Sequence, residues 1–355
     1  MTDVPLAVLD HLPDAILLLD QHRTIIAANR AATELFDSPR IGQDLALSMR
    51  HPDILSAVDQ VMRGEPPRDL EATLPGSPPR NIHVHTENLG RDAPGHDAAA
   101  ILVVSDITSS KRSERMRADF VANASHELRS PLSAIIGFLE TLADSARDDA
   151  EARHRFIEIM LRESRRMTRL IDDLLSLSRV EINEHVRPTA KVSVGLVMDH
   201  VAQTLAVKAE ARDINLEVSA PADLPEIVGD EEQVQQVLHN LVDNAIKYGD
   251  EGSRVEIEAQ PVARVPGRSL PGVAISVRDQ GRGIPADLIP RLTERFFRVD
   301  EARSRQLGST GLGLAICKHI INRHRGHLTI DSVEGEGSTF TIYLPTDPPA
   351  APKNI

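Results

Sequence analysis

The sequence predicts a multidomain α+β protein that combines a small α/β unit, a helical hairpin and a larger α/β sandwich. Its length of 355 residues is enough for two or three domains of ordinary size. The apolar pattern changes along the chain from short strand-like runs to long helical periodicity, and then to alternating helices and strands. The content of 41% hydrophobic and 26% charged residues is typical of a globular protein.

Residues 1–108 predict the small α/β unit, which has the size of a sensor domain. Asn29 stands where it can cap a helix that begins at Arg30. Breaks rich in proline and glycine separate the strand-like runs. The predicted strands are 15–19, 24–28, 68–74, 80–86 and 100–105.

Residues 109–186 predict two long helices with a break at 144–149. Apolar residues recur every three or four positions, which gives each helix one apolar seam. The seams are Met116, Phe120, Ala124, Leu128, Leu132, Ile135, Leu139 and Leu142, and then Phe156, Met160, Met167, Leu170, Leu174 and Leu177. Since two helices alone cannot close a core, we expect two copies to form a four-helix bundle and therefore a homodimer.

Residues 187–347 predict an α/β sandwich, and residues 348–355 a disordered tail. Helices are expected at 193–212, 231–248 and 312–323. Strands are expected at 214–219, 255–259, 273–279, 327–332 and 339–344.

The composition limits which binding partners and which cellular location are expected for this protein. The net charge of −13 disfavours nucleic acid as a main partner, because an acidic chain repels phosphate backbones. Cys317 is the only cysteine, which excludes an intrachain disulfide and a cysteine metal cage and favours a reducing compartment. The longest apolar run, 98–104, is far shorter than the ~20 residues of a membrane span. With no secretory signal either, we expect a cytoplasmic protein without a transmembrane segment.

The first chemical motif occupies residues 125–131, inside the first long helix. A neutral imidazole at His126 is a good nucleophile toward phosphorus, and Glu127 is an adjacent group that can take its proton. Pro131 is expected to loosen the helix one turn further on. Taken alone, the pair also fits an ordinary surface histidine in a helix.

The second motif lies on the helix predicted at 231–248. Asn240 and Asn244 are four residues apart and share a face, as do Asp243 and Lys247. Amide oxygens suit Mg²⁺, and a lysine suits a phosphate. The alternative without a binding role is a polar helix face stabilised by i,i+4 pairs.

The third motif follows a predicted strand. Asp279 at the strand end can accept a hydrogen bond from an exocyclic amine, and Gly281 and Gly283 allow the backbone to approach a flat ring. On its own, this segment is better explained as an ordinary glycine-rich turn.

The fourth motif opens the helix predicted at 312–323. Gly308, Gly311 and Gly313 place free backbone N–H groups at a helix N-terminus, where they can cradle phosphates. The segment between the third and fourth motifs is expected to act as a mobile lid over a nucleotide.

The order and spacing of the four motifs resemble the sensor histidine kinases of two-component signalling. The resemblance implies ATP and Mg²⁺ as cofactors, His126 as the phosphoacceptor, Glu127 as its base and Asn244 as the Mg²⁺ ligand. Phe296 and Phe297 match the phenylalanine box of that family. The implied nucleotide-contacting residues are Asn240, Lys247, Tyr248, Asp279, Gly281, Gly283, Phe297, Arg298, Gly308, Gly311, Leu312, Gly313 and Thr339.

Residues 1–108 are similar to a PAS domain, and the runs around the motifs look most like the phosphate-regulon (PhoR-type) kinases, here without a membrane anchor. The resemblance implies transfer of the phosphoryl group from His126 to an aspartate of a separate response regulator, of the OmpR/PhoB class. Ser130 stands four residues after His126, where the family often has a Thr or Asn that orients a water, so regulator dephosphorylation is also expected. The PAS-like domain is expected either to dock a regulatory protein or to reinforce the dimer.

Two other classes of protein are alternatives to a histidine kinase. Hydrolases that share the nucleotide-binding fold resemble one another in placing a glutamate four residues before the Mg²⁺-binding asparagine, where it activates water. That position is Asn240 here, which cannot act as a base, so transfer to a protein nucleophile is favoured. A non-catalytic scaffold is disfavoured by the intact His126, Asn244 and Asp279.

Overall fold

The computed structural model describes residues 6–36, 39–90, 98–144 and 149–346, with the backbone alone for Leu6, Ala7, Glu301, Arg305 and Gln306. The predicted tail at 348–355 and the middle of the predicted break at 144–149 lie outside the described residues. The chain divides into two compact units, Met1–Ala122 and Asn123–Ile355.

The first unit contains a five-stranded antiparallel sheet in the order β2-β1-β5-β4-β3. Its elements are α1 (Leu6–Leu9), β1 (Ala15–Leu19), β2 (Ile25–Ala28), α2 (Arg30–Leu35), a 3-10 helix (Leu45–Leu47), α3 (Pro52–Met62), β3 (Arg68–Leu74), β4 (Arg80–Asn88) and β5 (Ala100–Asp106). The five predicted strands are all present.

The local sequence accounts for two helices of this unit, α2 and α3. The Asn29 side chain accepts a 2.9 Å hydrogen bond from the Ala32 N–H, which confirms the predicted cap of α2. Helix α3 was not predicted, although Ile54, Val58 and Val61 recur at helical spacing and are fully buried against the sheet. One face of the sheet thus holds the core of this unit.

Two long helices, α4 (Thr108–Ala143) and α5 (Ala150–Ile182), confirm the predicted hairpin elements. Helix α4 continues through Pro131, which is buried. The apolar seams are only partly covered within one chain. Leu170 and Leu177 are buried, whereas Leu132 is 47% and Leu139 is 51% exposed.

The rest of the second unit is an α/β sandwich. Its elements are β6 (Ala190–Val192), α6 (Val194–Glu210), β7 (Asn215–Ser219), β8 (Ile227–Gly229), α7 (Glu231–Tyr248), β9 (Arg254–Val262), β10 (Gly272–Asp279), a 3-10 helix (Ile289–Arg291), α8 (Glu301–Gln306), α9 (Gly313–Arg323), β11 (His327–Val333) and β12 (Gly337–Pro345). Helices α6, α7 and α9 pack on a sheet in the order β11-β12-β10-β9-β7, in which only the β7–β9 pair is parallel.

The structure adds short elements to those predicted. Strands β6 and β8, the Ile289–Arg291 turn and helix α8 are too short to produce a periodic signal in the sequence. In the described ranges, no helix combines the length and the apolar character that crossing a membrane requires. The α+β class of the chain is confirmed.

Candidate nucleotide-binding cleft

A cleft with a volume of about 920 Å³ opens beside α7, at the C-terminal end of β10 and the N-terminus of α9. Most residues that the sequence assigned to a nucleotide line it. These are Asn240, Asn244, Lys247, Tyr248, Asp279, Gly283, Phe297, Arg298, Gly308, Gly311 and Gly313. The fold therefore brings motifs from three separate stretches of the chain to one concave surface, where binding sites are normally found.

Three of the expected nucleotide contacts are absent from the described lining of the cleft. Gly281 is buried beside it, and the Leu312 side chain is fully buried in the core. Thr339 does not line the cleft, but its neighbour Ser338 does. Ser338 lies opposite Asp279 in the antiparallel pair of β10 and β12. The reason is the alternation of side chains along a strand, since a shift of one residue reverses the face.

The cleft also contains residues that the sequence motifs did not indicate. His239 and Ser338 lie next to predicted positions, so their neighbours were a usable signal. Arg169, Asp172 and Asp173 come from α5, and no local pattern connects that helix with the nucleotide motifs. Only the packing of α5 against α9 makes them part of the same surface.

Asp279 forms one end of the cleft at the last position of β10. Its side chain belongs to a residue only 5% exposed, and it accepts a 2.9 Å hydrogen bond from the Gly281 N–H. Burial raises the pKa of Asp279 to about 6. A carboxylate fixed in this way, with no cation among the described groups that shift its pKa, suits a neutral N–H donor such as an exocyclic amine.

Gly283 lets the chain pass close to β11 at the same end. Its φ of +67° lies in the left-handed region, and a Cβ there would collide with the backbone carbonyl of Val333. Gly281 is equally confined, because its Cβ would collide with the Tyr248 carbonyl. Only glycine fits either position, so the backbone itself forms this wall.

The α7 wall carries amides and a paired lysine. Lys247 Nζ lies 2.7 Å from Asp243 Oδ2, and Lys208 also pairs with Asp243. Burial alone would raise the pKa of Asp243, but the two ammonium groups outweigh it and lower that pKa. Within the described residues, the Asn244 amide makes no intrachain hydrogen bond, so its oxygen is available to a ligand.

The segment between the third and fourth motifs is fastened to the cleft at several points. The Tyr248 hydroxyl lies 3.1 Å from both Ser304 Oγ and Ser309 Oγ. The Phe296 N–H donates a 2.8 Å hydrogen bond to the Gly311 carbonyl. Gly311 has a φ of +76°, and a Cβ there would stand 2.9 Å from the Phe296 backbone. These contacts hold the loop that leads into the N-terminus of α9.

Helix α4 presents its three catalytic candidates in different directions. Glu127 makes a two-pronged ion pair with Arg298, at 2.9 and 3.2 Å, and accepts a 2.7 Å hydrogen bond from Arg166 on α5. His126 and Ser130 are exposed on α4, outside the described lining of the cleft. Neighbouring residues on a helix face apart, so Glu127 contacts the nucleotide domain while His126 faces solvent.

Together, an ATP-type cleft and a helical hairpin that carries an exposed histidine define a phosphotransferase that acts on histidine. Three family models match consecutive parts of the chain. They are the PAS fold over residues 9–112, the His Kinase A (phospho-acceptor) domain over 116–182, and the histidine kinase-, DNA gyrase B- and HSP90-like ATPase over 229–348. The last match assigns ATP binding to the α/β sandwich.

Curated relatives agree with these models. The phosphate regulon sensor protein PhoR of Pseudomonas aeruginosa is 34% identical over 336 residues, which are 94% of this chain and 72% of that protein. The sensor-like histidine kinase SenX3 of Mycobacterium tuberculosis is 35% identical over 340 residues, 94% of this chain and 78% of its own length. The chain belongs to the sensor histidine kinase family and is a protein histidine kinase.

A solved structure extends the likeness of fold over almost the whole chain. The histidine kinase ThkA in complex with the response regulator protein TrrA matches 99% of this chain and 100% of its own, with 22% identity and a TM-score of 0.50. The histidine kinase AdeS of Acinetobacter baumannii matches 62% of this chain and 98% of its own, with 24% identity and a TM-score of 0.50.

Proposed function

We propose that this kinase phosphorylates its own His126 with MgATP and passes the phosphoryl group to an aspartate of a separate response regulator. The observation that carries the proposal is the convergence of Asp279, Asn244 and the loop at Gly311 on one cleft, which also holds Arg298, the partner of Glu127 beside His126. The nucleotide site and the acceptor helix are therefore linked by a direct contact within one compact unit.

Each wall of the cleft has a separate role in binding the nucleotide. Asp279 accepts a hydrogen bond from the adenine amine, and the loop ending at Gly313 offers backbone N–H groups to the phosphates. The residues of the cleft fit Mg²⁺ held jointly with phosphate. Asn244 offers a free amide oxygen, and the described residues contain no cluster of three acidic, His or Cys ligands that would bind a metal unaided. When bound, Mg²⁺ offsets charge on the phosphoryl oxygens.

In the reaction, a ring nitrogen of His126 forms a bond to the γ-phosphorus as the bond to the ADP oxygen breaks. Glu127 takes the imidazole proton. For this, the Glu127 carboxylate must turn away from at least one of the guanidinium groups of Arg298 and Arg166 that now hold it. Arg298 is then released at the edge of the cleft, where its charge can stabilise the transferred phosphoryl group.

The hairpin surface supports a homodimer. Large apolar side chains on α4 and α5 are 42–59% exposed in the single chain. They are Met116, Val121, Leu132, Ile136, Leu139, Ile157, Leu161, Ile171 and Leu175. Pairing two hairpins into a four-helix bundle would cover them, although only Met116, Leu132 and Leu139 of this set belong to the predicted seams.

The similarity to PhoR supports a finer assignment. We propose that the regulator belongs to the OmpR/PhoB class, that the pathway responds to phosphate, and that the kinase works in the cytoplasm, where ATP is available. Ser130 lies exposed on α4, one turn after His126, and its hydroxyl can orient a water for dephosphorylation of the regulator. Docking of a regulatory protein on the PAS domain is the proposed route for the stimulus.

The test is autophosphorylation of the purified full-length chain with Mg²⁺ and γ-³²P-ATP, followed by acid and base treatment of the label. The expected label survives base, is lost in acid and disappears in His126→Ala. His154→Ala is the matched control, because His154 is an exposed histidine on α5 away from the motif. A label that persists in His126→Ala contradicts the acceptor assignment. Phosphate release that depends on Asn244, without any label, would indicate an ATPase.

A further inference from the structure

Arg169 of α5 lies in the nucleotide cleft although it belongs to the helical hairpin. It lines the cleft together with Gly308 and Thr310 of the phosphate loop. The approach is close, since a methyl group placed on Gly308 would stand 2.8 Å from Arg169 Nη2. The guanidinium therefore rests against the loop that leads into the N-terminus of α9.

A second contact fixes the same face of α5 against the same loop. The Thr310 hydroxyl donates a 2.6 Å hydrogen bond to Asp173 Oδ2. Asp173 is one turn after Arg169, so both side chains point from one side of the helix. Burial raises the pKa of Asp173, which is consistent with a position inside the cleft wall. The position of Arg169 against this loop is thus supported by two separate contacts of α5.

The cations at this end of the cleft differ in their partners. Lys247 is paired with Asp243 at 2.7 Å, and Arg298 with Glu127 at 2.9 Å. Arg169 has no carboxylate within ion-pair distance among the residues whose side chains are described. Its charge is therefore available to an anion without breaking an existing pair.

The position along α5 indicates which phosphate Arg169 faces. One turn earlier, Arg166 binds Glu127, which adjoins the acceptor His126. Arg169 accordingly lies on the part of α5 that adjoins the acceptor helix, and it also lines the cleft. The phosphate to be transferred has to face the acceptor helix, so the terminal phosphate is the nearest anion.

We propose that Arg169 binds the terminal phosphate of ATP and distinguishes ATP from ADP. This rests on the proposed nucleotide site. It gives the helical hairpin a direct contact with the nucleotide, so the helix that supports the acceptor also detects whether a transferable phosphate is present. A planar guanidinium suits this task because it can donate two parallel hydrogen bonds to phosphate oxygens.

The experiment measures binding of MgATP and MgADP to the full-length chain by calorimetry, for wild type, Arg169→Gln, Arg169→Lys and Arg165→Gln. We expect Arg169→Gln to raise the Kd for MgATP about tenfold and that for MgADP less than twofold. Arg169→Lys should recover part of the loss. Arg165→Gln removes the same charge one turn away, outside the cleft lining, and should change neither constant.

Each alternative result overturns the assignment in a distinguishable way. Unchanged MgATP affinity in Arg169→Gln would show that the side chain does not bind the nucleotide. An equal loss for MgATP and MgADP would place the contact elsewhere or indicate a damaged fold, because retained MgADP binding is the internal check of folding. A wild-type chain that binds neither nucleotide would refute the proposed site itself.

Discussion

The two ends of the cleft use opposite electrostatic designs. At the Asp279 end, a single carboxylate is buried at a strand end without a cation, and its pKa rises to about 6. At the other end, two cations already have carboxylate partners, Lys247 with Asp243 and Arg298 with Glu127, whereas Arg169 has none among the residues whose side chains are described. In the proposed function, the first end recognises a neutral ring through a preformed acceptor. In the proposed complex, the second end accommodates a charged phosphate chain through the unpaired Arg169 and by exchange of existing ion pairs.

The largest expected effect comes from replacing Glu127, which pairs with Arg298 at the phosphate end of the cleft. Glu127→Gln should lower the rate of autophosphorylation about a hundredfold or more, because the proton acceptor is lost. MgATP affinity should not fall, since Arg298 is freed from its partner. Single-turnover phosphorylation and nucleotide binding are measured on the same preparation. Glu163→Gln, which removes the other partner of Arg166, is the matched control. A control that is equally slow would indicate a structural effect.

A smaller effect is expected from neutralising Asp279 at the other end of the cleft. Asp279→Asn keeps the shape but replaces the acceptor oxygen with a mixed amide, so MgATP and MgADP affinity should both fall about tenfold or more. Equal loss for the two nucleotides distinguishes this end from the phosphate end, where Arg169 is expected to favour ATP. Competition with a fluorescent nucleotide measures both constants. If affinity for ATP alone falls, Asp279 does not bind the adenine.

The same variant should gain stability in the nucleotide-free state. The pKa of Asp279 is raised from 3.8 to about 6, so the folded state holds the proton longer and the free energy of unfolding falls as pH rises through that window. Asparagine does not titrate. Asp279→Asn should therefore exceed wild type by about 2 kcal/mol at pH 7.5, and by much less near pH 4. Calorimetric unfolding at both pH values checks this, and an advantage independent of pH would contradict it.

The smallest expected effect concerns the loop that joins the two ends. Gly311→Ala places a Cβ 2.9 Å from the Phe296 backbone at a φ of +76°, and should lower the free energy of unfolding by about 1–2 kcal/mol. Gly195→Ala is the control, because its Cβ meets nothing within 4 Å in helix α6. It should stabilise by about 0.5 kcal/mol. Denaturant titration of both variants decides whether the loop depends on that backbone conformation.

Much of the fold follows from local sequence. The apolar periodicity predicts both long helices and most strands, and α7 has the predicted bounds of Glu231–Tyr248. Asn29 caps α2 as expected. These features were accessible because they depend on spacing and on residue types within one segment. Short elements such as β6 and α8 were not, because a few residues give no periodic signal.

By itself, the sequence determined the class of this protein and the residue types available for phosphotransfer, and it predicted the order of the domains. Tertiary structure alone decided which side chains share the cleft. It placed Ser338 instead of Thr339 in the cleft lining and added Arg169 and Asp173 from α5. It also directed the Glu127 side chain toward Arg298 and away from His126. The physical reason is that motifs specify chemistry within a segment, whereas contacts between distant segments depend on how helices and strands pack, and one residue of register is enough to reverse a face.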